Sequence, residues 1–253
     1  MRKLLAVPVL ASLALAGCKK EQSAPSADLL SEVKSRLNDR DRKLSSYHLA
    51  TTVKEGENVA QFDFFYRSPN KMRGVITRPA NVTYAFDGES LFQITGADKK
   101  FGVLKLAGPP EQNALLLNKT FAPFAPEGFR APLLVKEGVT AKKVTHPKAA
   151  EAVEVSEEAK DESGSAKVTY VFRYPSMDFL SKKSEVGGQS SEVRVDDEQC
   201  DEKLKLCVPK KLSQWANGAQ IGTSELTQIE LNNSLPNDQF TPAVPEGYTK
   251  VGG

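Results

Sequence analysis

Apolar and polar side chains alternate with a period of two along much of this chain, most clearly between Val59 and Phe92. Strands point successive side chains to opposite faces, so Phe62, Phe64 and Tyr66 share one face and Asp63, Phe65 and Arg67 the other. Ser68-Pro69-Asn70 ends this strand, because proline fixes its φ and offers no N–H to a ladder. Lys71 to Thr77 runs back and Arg78-Pro79-Ala80-Asn81 turns again. Val82, Tyr84 and Phe86 then form a second aromatic row, closed by the turn pair Asp87-Gly88. The pattern predicts an antiparallel meander with a large apolar face, and leaves open what covers that face.

Ahead of the meander the period changes. Leu29, Leu30, Val33 and Leu37 make one apolar stripe, which predicts an amphipathic helix over Asp28 to Arg40, with Ser26 or Asp28 as its cap. Tyr47 to Lys54 reads as the first strand and Phe101 to Leu106 as another, broken by Gly108-Pro109-Pro110. Leu115, Leu116, Leu117, Phe121, Phe124, Phe129, Leu133 and Leu134 follow in a stretch too apolar to face water. Pro123, Pro126 and Pro132 forbid a strand or a long helix there, so short helical turns over an open sheet are expected. On the residues alone, this stretch is a plug that permanently closes one end of a barrel or a movable cover.

The second half reads as further hairpins. Two short strands flank His146-Pro147 between Val139 and Val155, and Glu157 to Ser165 makes a polar tip that lacks the alternating oxygen ligands of a calcium loop. Lys167 to Tyr174 is a strand with Val168, Tyr170, Phe172 and Tyr174 on one face. Gly187-Gly188 and Asp196-Asp197-Glu198 mark turns, and Leu204–Trp215 and Ala219–Leu231 form a last hairpin turning at Asn217-Gly218. The fold class expected is mainly β (α+β): one curved antiparallel sheet of about 10–12 strands forming a half-open β-barrel, with an N-terminal helix and short covering helices.

The first residues change the picture of where the protein works. Arg2 and Lys3 precede a short apolar run from Leu4 to Leu15, too short for a permanent span, and Leu15-Ala16-Gly17-Cys18 reads as a lipobox. Residues 1–17 are thus expected to be a lipoprotein signal peptide, with the Cys18 thiol carrying diacylglycerol. Residues 18–27 form a polar tether, and residues 28–253 one domain. More than one acyl chain anchors stably to a membrane, where a single chain binds only marginally. Without residues 1–27 the domain carries 30 basic and 31 acidic side chains, which argues against nucleic acid as a partner.

Candidate chemistry is sparse. Cys200 and Cys207 remain as a pair once Cys18 is assigned to lipid. In an oxidising compartment their spacing suits a disulfide clamping a hairpin, with a redox role as the alternative. The gap is too wide for a zinc knuckle and no histidine is near. His48 and His146 are the only histidines, and no Gly-x-Ser-x-Gly elbow, metal-spaced cluster or phosphate loop occurs. No catalytic residue, metal or cofactor is expected.

Three parts of the chain together resemble the outer-membrane lipoprotein carrier and receptor family, the LolA/LolB-like fold. They are the meander with its arginines, Pro-Asn turn and Asp87-Gly88; the opening helix and strand from Asp28 to Thr52; and the end, Leu226 to Asn233, Phe240-Thr241-Pro242 and Pro245 to Tyr248. The resemblance covers roughly the first third and the last tenth of the chain. It implies a hydrophobic cavity for acyl chains, lined here by Phe62, Phe64, Tyr66, Met72, Tyr84, Phe86, Leu115, Leu116, Phe121, Phe124 and Phe129, under a helical lid. Carriers of this type lock the lid with an arginine directly before the proline of the turn after the second strand. That place is Ser68 here, with Arg67 one residue earlier and Arg73 as a substitute. The anchor points to a receptor-like role, and Lys19 after the cysteine, in place of an aspartate, to the outer membrane facing the periplasm.

Three functions fit these features: a membrane-anchored protein that holds acyl chains or another lipophilic ligand, in lipoprotein sorting or outer-membrane localisation; an envelope-stress sensor or regulator whose contact is another protein; and a structural surface lipoprotein with a filled core.

Overall fold

The computed structural model describes residues 27–132, 134, 138–161 and 164–251. The expected signal peptide, Cys18, the cap candidate Ser26 and Leu133 lie outside them.

The apolar stripe forms α1 (Ala27–Arg42), with Asp28 in its first turn and Arg40 and Arg42 in its last, the arrangement that opposes the helix dipole. The meander follows as β1 (Ser46–Glu55), β2 (Asn58–Arg67), β3 (Lys71–Arg78), β4 (Val82–Phe86), β5 (Ser90–Thr95) and β6 (Lys100–Lys105). Helix α2 (Pro110–Phe121) has proline in its first turn, where the missing N–H costs nothing, and ends before Pro123. Then come β7 (Thr140–His146), β8 (Ala149–Asp161), β9 (Gly164–Arg173), β10 (Asp178–Val186), β11 (Gln189–Asp201), β12 (Leu206–Ala216), β13 (Ala219–Leu231) and the two-residue β14 (Thr249–Lys250).

All fourteen strands belong to one sheet in the order β14-β6-β5-β4-β3-β2-β1-β13-β12-β11-β10-β9-β8-β7. Two arms of sequential hairpins meet where β1 pairs with β13, and β7 and β14 remain as unjoined edges, so the curved sheet is an open half-barrel. The count exceeds the 10–12 strands expected. Strands β10 and β11 alternate weakly because polar side chains fall on both faces, as at the adjacent Lys182 and Lys183 of β10 and Ser191 and Glu192 of β11. Asp196-Asp197-Glu198 is not a turn: it lies inside β11, where two register shifts absorb the extra backbone. Glu157 and Glu158 belong to β8 rather than to a hairpin tip. The last hairpin turns at Asn217 (φ 48°) and Gly218 (φ 84°), the conformation that the Asn-Gly pair favours.

The inner face of the sheet is divided between the two helices. Val33 and Leu37 of α1 pack with Val153, Val155, Phe172, Phe179 and Val195 on the β7–β13 arm. Leu117 and Phe121 of α2, with Phe124 and Phe129 beyond it, pack with Tyr47, Leu49, Phe64, Tyr66, Met72 and Phe86 on the β1–β6 arm. Cys200 and Cys207 pair directly across β11 and β12 and are joined by a disulfide, which closes a short loop and contributes about 2–3 kcal/mol.

Candidate ligand-binding face

Strand register lays out the inner face in rows. One row runs Leu49, Phe64, Gly74, Tyr84, Gln93, Gly102 across β1 to β6, and the next runs Tyr47, Tyr66, Met72, Phe86, Leu91, Leu104. Towards β1 these rows are sealed: Tyr47, Leu49 and Phe64 are each at most 1 % exposed. Towards β6 they are not, and Leu104 is 54 % exposed.

The covering segment explains the difference. Phe121, Phe124 and Phe129 are buried over the sealed part, Phe124 against Phe62 (6.1 Å between ring centres) and Tyr84 (5.8 Å), and Phe129 against Tyr47 (5.6 Å). A Cβ at Gly74 would lie 2.5 Å from the Phe124 ring, so the ring occupies the space that any other residue would fill. Helix α2 buries only a narrow stripe. Leu115 is 67 % exposed and points away from the sheet, contrary to its expected place in a cavity, because Leu117 and Phe121, four residues apart, take the inward positions. Leu116 lies at the rim.

Two adjoining apolar grooves border α2 as a result. One, of about 450 Å³, is lined by Ile76, Tyr84, Leu116, Thr120, Pro123 and Phe124, and by Lys119 as its one charged residue. The other, of about 440 Å³, includes Tyr84, Leu91, Gly102, Leu104, Leu116 and Val251. Tyr84, Leu116 and Thr120 line both, so the two grooves adjoin at these three side chains. A third cavity of about 220 Å³ lies beyond Phe124, between the Pro123–Glu127 segment and the midline of the sheet.

The expected arginine lock is absent from this face. Arg67 and Arg73 share the parity of Phe65 and so stand on the outer face, where they hold the C-terminal tail. Arg67 donates to the Leu235 carbonyl and to Asn237 Oδ1 and lies 5.2 Å over the buried Phe240 ring. Arg73 reaches Gln239, and burial pulls its pKa down. His48 stacks on Phe65 at 4.0 Å on the same outer face and meets Asp63 at 3.1 Å.

The cover is fastened instead from the end of α1. Arg40, 3 % exposed, donates to the Gly128 carbonyl at 2.6 Å, and burial lowers its pKa. Both oxygens of Asp41 accept from the Ala131 N–H, and burial raises its pKa. Glu127 pairs with Lys182 at 2.6 Å, and Arg130 lies 4.8 Å over Tyr66. Gly128 fits only as glycine, with φ +86° and a notional Cβ 2.6 Å from Phe179. Arg40 continues the Val33, Leu37 stripe at helical spacing, and that position was the sequence signal for it. The end of the cover at residues 127–131 is therefore tied by polar contacts. Among the described residues, the side-chain hydrogen bond of α2 is local, Asn113 to the Gly108 carbonyl, and α2 meets the sheet through apolar contacts.

No family model matches the chain, and no curated protein matches it in sequence. Among solved structures, a DUF1329 family protein from Desulfovibrio piger is 10% identical and superimposes with a TM-score of 0.55, over 86% of this chain and 98% of its own. A LolA superfamily protein from Nitrosomonas europaea is 13% identical over 83% of this chain and 97% of its own, with a TM-score of 0.49. The Mycobacterium tuberculosis lipoprotein LppX is 14% identical over 84% and 100%, with a TM-score of 0.35. At such identities likeness speaks of fold alone, and the first of the three carries it. The architecture itself, one open, curved sheet wrapped on helices, is the half-open barrel that the sequence pattern predicts.

Proposed function

We propose that this protein is a lipid-anchored bacterial envelope protein that binds acyl chains, or a lipophilic ligand of similar shape, on the inner face of its half-barrel. The observation that carries the reading is the pair of adjoining apolar grooves beside α2, which leaves Tyr84, Leu91, Leu104 and Leu116 without a packing partner on one side. Burying a methylene there contributes about 0.8 kcal/mol, so sixteen or so contribute about 13 kcal/mol against an association cost of about 4–15 kcal/mol. The asymmetry of the cover supports entry by displacement of α2, with residues 127–131 as the fixed end. Anchoring at Cys18 and an outer-membrane position rest on the lipobox and Lys19. A task in holding or passing on acylated cargo follows from such a site, and binding rather than catalysis is its chemistry.

The test is a titration of the purified protein with a pyrene-labelled fatty acyl probe. Saturable uptake that is lost in Leu116→Asp, with the melting temperature kept, supports the reading. Uptake indifferent to Leu116→Asp, or no uptake, overturns it.

A further inference from the structure

The cavity beyond Phe124 differs in chemistry from the grooves. It is lined by Phe62, Val193 and Leu212, but also by Thr51, Gln214 and Ser224. Thr51 continues the inward row Tyr47, Leu49, Thr51, Val53 of β1, and Ser224 sits beside Val53 in the register of β13. Thr51 is only 7 % exposed, and its Oγ1 is buried with no hydrogen-bond partner among the described residues. Leaving a buried hydroxyl unpaired is costly, and valine has the same shape without that cost. The one carboxylate lining the cavity, Glu127, already pairs with Lys182, and no cation lines it.

A hydroxyl donor and a neutral amide in a cavity without a cation suit a neutral acceptor and leave the desolvation of an anion uncompensated. Pro123 and Phe124 line both this cavity and the neighbouring groove, so the Phe124 ring is the partition between them. Resting on the acyl-binding reading above, we infer that the Thr51–Gln214–Ser224 cavity is a head-group subsite. It receives the carbonyl of a neutral acyl ester or amide, with the Thr51 hydroxyl as donor, while the chain lies in the groove past α2. Phe124 swings aside, which joins the two spaces and opens the Thr51 hydroxyl, buried in the closed arrangement, to the ligand.

The test compares three pyrene-labelled probes of equal chain length: an alkane, its methyl ester and the free acid. They are titrated into the wild-type protein and into Thr51→Val and Thr51→Ser, with thermal melts alongside. The expected result is that Thr51→Val melts no lower than wild type and binds the alkane equally, but binds the ester about five- to tenfold more weakly, the worth of one hydrogen bond. Thr51→Ser restores ester binding, and the wild type takes the ester in preference to the acid. Equal loss of ester and alkane affinity in Thr51→Val, or no loss of either, overturns the subsite while leaving acyl binding in place. Binding of none of the three probes to the wild type removes the acyl-binding reading and the subsite with it.

Discussion

Gly74 and Phe124 are in contact as backbone and ring: the ring lies where a side chain at position 74 would begin, 2.5 Å from its notional Cβ. This contact sets how closely the cover sits on the sheet. Gly74→Ala should lift Phe124 from its seat, at about 1–3 kcal/mol for an overpacked site. It should also raise the rate of acyl-probe uptake. Paired with Phe124→Ala, its cost should fall well below additivity, since the ring it strikes is gone. Urea melts of the four members of that cycle check this.

Arg40 ties the far end of the cover. Arg40→Met leaves the buried Gly128 carbonyl without its donor, for about 1–3 kcal/mol. Hydrogen exchange should quicken at residues 127–131 and much less at α2. Uniform quickening along the whole chain would show that Arg40 serves the fold at large.

Arg67 belongs to the outer face. Arg67→Ala should free the tail around Phe240 and speed proteolysis after Asn232, while acyl-probe affinity stays within about twofold. A large change in affinity would restore Arg67 to the role of lid lock.

His146 accepts a hydrogen bond at Nδ1 from the Lys148 N–H, which requires that nitrogen unprotonated. Burial, then Lys148 and Arg173, lower its pKa below the ordinary 6.5. The unfolded chain therefore takes up the proton first. The stability contributed by neutral His146 is whole above pH 6.5 and is lost as pH falls through the lower folded value. His146→Asn, whose side-chain oxygen can accept the same N–H, should flatten the melting temperature against pH in that window.

Much of the fold was legible because its information is local. Alternation at Phe62, Phe64 and Tyr66 gave β2 and its inward face, the Leu29 to Leu37 stripe gave α1, and Asn217-Gly218 gave the last turn. Strands β10 and β11 were harder, since polar side chains on both of their faces erase the period. The site was legible only in part. The aromatic rows named its floor, but which of Leu115, Leu116 and Leu117 turns inward depends on how α2 is rotated, and three adjacent leucines do not encode that. Strand parity already set Arg67 on the face opposite Phe64, one residue short of the place the resemblance gives to an arginine, whereas the side that Arg73 takes follows only from the pairing of β3 with β2. Arg40 and Thr51 each sat on an apolar stripe as its one polar member, a signal that reads only once the partners are known.

Whether the groove takes acyl chains is tested most directly by native mass spectrometry of the chain from Asp28 onward, expressed in the periplasm. Without Cys18, any acyl mass it carries is non-covalent. The expected result is a near-stoichiometric acyl-bearing adduct that disappears in a folded Leu116→Asp variant. A clean apo mass for the wild-type domain, with no adduct after incubation with a lipopeptide or fatty acyl probe, would contradict the account and leave the aromatic rows as an ordinary core.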